Sequence, residues 1–396
     1  MDKGSGLREE AAALLDSLVA WRRDFHRHPE LGFEEHRTSS IVADHLRTLG
    51  LEVRTGVGKT GVVGLLRGAE PGPTLLLRAD MDALPIPDGK DTNYASTATG
   101  KAHLCGHDAH TSMLMGTARL LAERGLPRGS VKFAFQPAEE GSAGAKAMIE
   151  DGVLDDPKVD AAAALHVWPF LPTGRLGLAG GAAWAASDTI KIRIVGRSGH
   201  AAYPHQTIDP IPVAAQAITA LQHIASRQVD PLDSVVVTIG QINGGYTRNV
   251  IAPEVEMTGT VRTLNPAVRE RMEATIATVL KGTAEAHGAA YELEYRYGYP
   301  MVINDDDMAG LLTRTSAELL GEGGLERLKP TMGAEDFSFI AERVPSVMFR
   351  LGTRGGERSG YPLHHPLFDL DESAMPVGVA MLSAFALNFL NLPRPD

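Results

Sequence analysis

Thr74-Leu75-Leu76-Leu77-Arg78-Ala79-Asp80 decides how this chain is read. The run is nearly all apolar, as for a strand buried on both faces of a parallel sheet. It stops on an acid, in Asp80-Met81-Asp82-Ala83-Leu84-Pro85. Working outward, the pattern repeats. Val131-Lys132-Phe133-Ala134-Phe135 stops at Gln136-Pro137-Ala138-Glu139-Glu140-Gly141, and the run from Asp160 to Leu165 stops at His166. Ser346 to Leu351 stops at Gly352, and His364 follows in Tyr361-Pro362-Leu363-His364-His365-Pro366. Helical patterns lie between and after these runs, at about 109–124, 142–151, 305–320 and 371–391. Strand alternating with helix implies an α/β fold, with a mainly parallel mixed sheet flanked by helices. In such sheets, sites form at the carboxyl ends of the strands. Acids and histidines scattered at random would not collect at one end of each strand.

Before this region, residues 7–28 read as one helix, with Leu7, Ala11, Leu14, Leu15, Leu18, Trp21 and Phe25 at helical spacing. Pro29 ends it, and a second helix at about 34–49 stops at Gly50. From Ser187 the rhythm changes. Strands at about 189–195, 234–241, 254–262 and 290–297 surround helices at about 209–228 and 265–287, the second opened by Asn265-Pro266. The order βαββαβ is the ferredoxin-like split unit. We therefore expect residues 187–297 to be an inserted domain, with 1–186 and 298–396 as the two parts of a catalytic domain.

Composition narrows the function classes. The net charge of −11 argues against nucleic acid as a partner. No run approaches the ~18 apolar residues of a membrane helix, and MDKGSGLREE lacks the apolar core of a signal peptide. A single cysteine forms no internal disulfide, which fits a reducing, cytoplasmic setting.

That cysteine lies in His103-Leu104-Cys105-Gly106-His107-Asp108-Ala109-His110. Cys105 and His107, two apart in a small-residue turn, can both face one spot. Thiolate and imidazole are ligands for zinc, cobalt, nickel or manganese. Taken singly, each candidate has a plainer reading: a buried cysteine, a charged loop at Glu139-Glu140, a core histidine at His166, a surface turn at His364-His365. Taken together, Cys105, His107, Glu140, His166 and His364 exceed the three or four ligands of one zinc ion. They suit two divalent ions ~3.5–4 Å apart that acidify a shared water and polarise a carbonyl. Glu139, beside a ligand, is then the natural general base, and Asp80 would orient a ligand imidazole.

Six segments, in order across about residues 20–390, carry a resemblance. They are Arg27-His28-Pro29-Glu30-Leu31-Gly32-Phe33, Arg78 to Pro85, Cys105 to His110, Gln136 to Gly141, Gly199-His200-Ala201-Ala202-Tyr203-Pro204-His205 and Leu363 to Pro366. The chain resembles the aminoacylase and carboxypeptidase-G-like family of dinuclear metallohydrolases. It looks most like the branch of hippurate hydrolases, N-acyl-L-amino-acid amidohydrolases and plant auxin-conjugate hydrolases. The resemblance implies the same five metal ligands, with Glu139 as base. In the wider family a histidine two before the strand-end aspartate binds metal; here Arg78 stands there, and Cys105 and His107 take over the ligation. The resemblance also implies that the inserted domain is a lid through which the chain forms a homodimer or a tetramer. It implies that His200 donates to the oxyanion, in its own or its partner's site, and that Asn249 and Arg262 hold the substrate near its carboxylate. The expected reaction is hydrolysis of an N-acyl-L-amino acid to a carboxylate and a free amino acid. Alternatives within this chemistry are a metallo-dipeptidase or carboxypeptidase and an N-acetyl-diaminopimelate-type deacetylase. Alternatives of other classes are a cysteine hydrolase using Cys105 with His107 and a non-catalytic dimeric binding protein.

Overall fold

The computed structural model describes residues 3–392. One compact unit comprises Met1–Gly181, Ile303–Lys329 and Asp336–Asp396; a second comprises Ala182–Val302 and Pro330–Glu335. The first is built on an eight-stranded sheet ordered Glu52–Val57, Gly61–Arg67, Arg128–Gln136, Glu70–Asp80, Ala161–Pro172, Ser346–Arg354, Leu176–Leu178, Leu325–Arg327. The strands from Arg128–Gln136 to Ser346–Arg354 run parallel to one another, and Gly61–Arg67 joins them antiparallel. Leu75, Leu76 and Leu77 are fully buried, so both faces of the central strand are covered. This is the mainly parallel α/β architecture implied by strand–helix alternation.

Register brings the strand ends level. Asp80 lies beside Gln136, and Arg78 beside Ala164. The strand Ala161–Pro172 does not stop at His166 as its apolar run suggests. It continues on the pairing with Ser346–Arg354, where His166 lies beside Arg350. His166 is therefore inside a strand, past the last pairing with Glu70–Asp80.

The N-terminal helix, expected in one piece, is two: Lys3–Ala12 and Leu15–Arg27. At the break Leu14 N–H bonds back to Ala11 O, a tightened turn. Apolar spacing carries across it, since Leu7, Ala11, Leu18 and Phe25 are all buried. The expectation of no membrane-length apolar run also needs correction: Glu372–Leu390 is long and apolar enough by length and composition. It is mostly buried in this fold, packed on the helices Lys3–Ala12, His107–Arg124 and Asp306–Leu320. A helix apolar on all sides is what a core position demands.

The second unit carries a four-stranded antiparallel sheet ordered Val235–Gly244, Glu254–Thr263, Ala186–Val195, Ala290–Tyr299. Helix Pro210–His223 links its first and second strands in the chain, and Pro266–Ala286 its third and fourth. Asn265 caps the latter, its side chain accepting from Ala267 N–H at 2.9 Å. Ile190, Ile192 and Ile194 are buried at every second position and form one face of this unit's own core.

Candidate metal centre

The centre begins with a glycine. Gly106 sits at φ +91°, and a Cβ there would lie 2.3 Å from Val167 Cγ2. Only glycine fits, and the turn it makes sets Cys105 and His107 side by side. The helix His107–Arg124 starts at once, so His107, His110 and Thr111 share the face turned to the strand ends. Two other left-handed residues flank the cluster, Ala138 at φ 54° and His364 at φ 66°. Each costs about 1–2 kcal/mol for a residue with a Cβ. His364 N–H donates to Leu104 O at 2.7 Å, which ties its loop to the residue before Cys105.

The structure brings the five sequence-nominated ligands together within the first unit. Donor atoms of Cys105, His107 and His166 all lie within 4.8 Å of one another, and so do those of Cys105, Glu140 and His364. Cys105 is common to both groups. Its Sγ is 3.5 Å from His166 Nε2, and His364 Nε2 is 3.2 Å from Glu140 Oε1. Glu139 is buried, with a carboxylate oxygen within 4.8 Å of His107 and Glu140 donor atoms.

Hydrogen bonding aims the imidazoles. His166 Nδ1 lies 2.7 Å from Val167 O, which can only accept, so Nδ1 carries the proton and Nε2 offers its lone pair. His107 Nδ1 is likewise engaged, 2.9 Å from Asp82 O and 3.2 Å from Asp82 Oδ1. Its Nε2 is buried without a hydrogen bond, as is Glu140 Oε1. Buried polar atoms rarely stay unsatisfied. A thiol, three imidazoles and a carboxylate, with His107 Nε2 buried without a hydrogen bond and Glu140 Oε1 facing His364 Nε2, suit a pair of divalent cations. Electrostatics agrees. Burial opposes charge on His107, but Asp80, Asp82 and Glu140 outweigh it and lift its pKa to about 10. Burial, Glu140, Glu139 and Asp80 push the Cys105 thiol well up. A cation entering the cluster displaces those protons.

Asp80 bonds directly to His110, which is not one of the nominated ligands. Its Oδ1 is 2.6 Å from His110 Nδ1, its Oδ2 accepts from Arg78 at 2.7 Å, and His107 Nε2 is 3.7 Å away. Burial works against its charge, yet His107, Arg78 and His110 hold its pKa well below the usual range. Asp82, which sequence reading passed over, is the acid that meets a nominated ligand, its carbonyl and its carboxylate both facing His107 Nδ1. Its Oδ2 also accepts from Glu140 N–H at 2.9 Å, so one residue meets two of the nominated ligands. The signal was present in Asp80-Met81-Asp82, where either acid could serve. Arg78 is buried and paired with Asp80 and Asp336.

His200, Asn249 and Arg262 belong to the second unit. His200 lies on the short strand Gly199–His200 paired with Val250–Ile251, its side chain exposed and its Nδ1 accepting from Ala202 N–H at 3.1 Å. Ala201 N–H donates to Asn249 O at 3.0 Å, so His200 and Asn249 are neighbours. Arg262 is not with them. It pairs with Ser187, at the end of its strand opposite Glu254 and Val195, from which the chain leads to His200.

Known proteins share this arrangement of chain and sheet. The pattern of Peptidase family M20/M25/M40 matches residues 76–388. The N-acyl-L-amino acid amidohydrolase of Geobacillus stearothermophilus is 44% identical over 306 residues, covering 76% of this chain and 82% of that protein. Thermostable carboxypeptidase 2 of Saccharolobus solfataricus is 37% identical over 398 residues, covering 99% of this chain and 100% of that one. The crystal structure of the Bacillus subtilis YXEP protein, a dinuclear metal binding peptidase from the M20 family, matches with a TM-score of 0.85 at 35% identity, over 96% of this chain and 98% of that one. With the family pattern spanning most of its length and two such relatives matched from end to end, the chain is a hydrolase of peptidase family M20/M25/M40.

Proposed function

We propose that this enzyme is a two-metal amidohydrolase that splits N-acyl-L-amino acids into a carboxylate and a free amino acid. The observation that carries the reading is the pair of donor groups sharing Cys105, with Glu139 buried beside them. Cys105, His107 and His166 would hold one ion, and Cys105, Glu140 and His364 the other. The thiolate favours the softer members of the zinc, cobalt, nickel and manganese set. The ions would supply Lewis-acid polarisation of the scissile carbonyl and of water. Glu139 takes the proton of the attacking water and delivers it to the leaving nitrogen. Asp82 holds the His107 tautomer and the Glu140 backbone through both events. His200, on its exposed hairpin, would donate to the oxyanion, and the adjacent Asn249 would hold the substrate near its carboxylate.

The amidohydrolase relative supports the N-acyl substrate. The carboxypeptidase relative supports a second reading, cleavage of a peptide beside its free carboxyl end. A cysteine hydrolase is disfavoured, because burial and three carboxylates push the Cys105 thiol up, whereas a nucleophile needs it lowered. A reduced thiol suits a cytoplasmic setting. The edge strand Val235–Gly244 exposes Val236 and Ile242, an unpaired edge suited to a homodimer through residues 187–297.

The test is turnover of hippurate, N-acetyl amino acids and dipeptides by metal-loaded protein, with Glu139→Gln as control. The proposal expects acyl amino acids to be preferred, and Glu139→Gln to keep its ions while kcat falls by about 10²–10⁴. Preference for dipeptides moves the enzyme to the second reading. Near-native turnover by Glu139→Gln removes the assigned base.

A further inference from the structure

His110 has no part in the reaction as described, yet it is buried between two ligand imidazoles. Its ring centroid is 5.5 Å from that of His107 and 4.7 Å from that of His166. Both its nitrogens are spoken for. Nδ1 faces the Asp80 carboxylate at 2.6 Å, so Nδ1 carries the proton. Nε2 then has only a lone pair, and Val167 N–H donates to it at 2.9 Å. While those two bonds stand, His110 is not a metal ligand.

Val167 is the informative partner. Pairing between Ala161–Pro172 and Glu70–Asp80 ends at Ala164. Beyond that point a buried N–H on that side must find another acceptor, and His110 supplies it. The carbonyl of the same Val167 accepts the His166 Nδ1 proton at 2.7 Å. Val167 is thus gripped at its N–H by His110 and, through its carbonyl, sets which His166 nitrogen faces Cys105. Behind His110 stand Asp80, held by Arg78 at 2.7 Å, and Arg78, anchored on Gln136 at 2.7 Å and Asp336 at 3.0 Å. Thr111 Oγ1 donates to Asp80 O at 2.9 Å and fixes the same turn.

We propose that His110, backed by Asp80 and Arg78, is a positioning residue for the His166 ligand: by holding Val167 it fixes the carbonyl that sets the His166 tautomer and turns Nε2 toward Cys105. This rests on the two-ion reading and extends it to the residues behind one of the two ions.

Two variants separate this role from packing. His110→Asn keeps a donor near the Nδ1 position for Asp80 but puts no acceptor near Val167 N–H. His110→Gln carries an oxygen near the Nε2 position and can still accept. Cobalt(II) binding is measured by competition with a chelator and by the absorption of the thiolate–cobalt site. The wild type should take up two ions. His110→Asn should bind one of them about 10–100-fold more weakly, with a changed cobalt spectrum and the other ion within about threefold. His110→Gln should regain most of the loss. Wild-type affinity for both ions in His110→Asn, or equal weakening of both ions by both variants, overturns the inference. If neither variant folds, the ¹⁵N imidazole spectrum of the wild type decides: His166 protonated at Nδ1 supports it, and His166 protonated at Nε2 refutes it. A wild type that binds no cobalt instead sinks the two-ion reading, a distinguishable result.

Discussion

Replacing Gly106 with alanine attacks the turn that sets Cys105 beside His107. Two penalties follow from its geometry. The residue sits at φ +91° and ψ 15°, in the left-handed region; a side chain there costs about 1–2 kcal/mol. The new Cβ would also lie 2.3 Å from Val167 Cγ2, with Phe368 Cζ next at 3.7 Å. Val167 and Phe368 are both fully buried, so neither can swing into solvent. Overpacking of this kind costs about 1–3 kcal/mol. Together the loss should be about 2–5 kcal/mol, a large share of a domain's stability. Val167→Ala separates the terms. Alone it removes two buried methyl groups, about 1.6 kcal/mol. In the double variant the clash is gone and the left-handed strain stays, so the two changes should couple favourably by about 1–3 kcal/mol. The assay is urea unfolding with a chelator present, so that ion binding does not enter. The transition is followed through Trp21 and Trp168, both in the first unit. A Gly106→Ala loss under about 1 kcal/mol, or a double variant no better than the sum of the singles, refutes this reasoning.

Asp82→Ala removes the acceptor of Glu140 N–H and the farther of the two acceptors of His107 Nδ1, whose bond to the Asp82 carbonyl remains. Titration calorimetry should show the ion proposed at Glu140 weakened by about 10–100-fold and the ion proposed at His107 by less; unchanged affinity for both ions breaks the link drawn through Asp82. Asp369 gives a pH prediction. Burial raises its pKa, but Arg22 and Tyr94 more than offset this and hold it below the usual carboxylate value. Its contribution to stability is therefore complete above the unfolded pKa of about 3.9 and is lost as pH falls through the folded value. Asp369→Asn should flatten the fall in unfolding free energy between about pH 5 and 2. An unchanged acid slope, measured by denaturant titration at each pH, contradicts it.

The central strands were legible because a strand covered on both faces must be apolar throughout, as Leu75 to Leu77 are. The nominations rested on residue type: Glu139 and Glu140 follow the strand Arg128–Gln136, and Cys105 and His107 share one short turn before a helix. What escaped depends on pieces meeting in space. Asp80 and Asp82 look equivalent in sequence; the rotation of the helix His107–Arg124 gives His110 to one and His107 to the other. His166 looked like a strand end because the apolar run ends there, yet the neighbouring strand Ser346–Arg354 carries the pairing onward. The break after Ala12 left the apolar spacing intact. Arg262 follows Asn249 closely in the chain, but sheet register sends it to the far end of its strand.

The most direct measurement is anomalous diffraction from crystals of the zinc- or cobalt-loaded protein. Two peaks per chain are expected, both in contact with Cys105 Sγ, one also with His107 and His166, the other with Glu140 and His364. A single peak, or a pair of which Cys105 touches neither, contradicts the shared-thiolate centre.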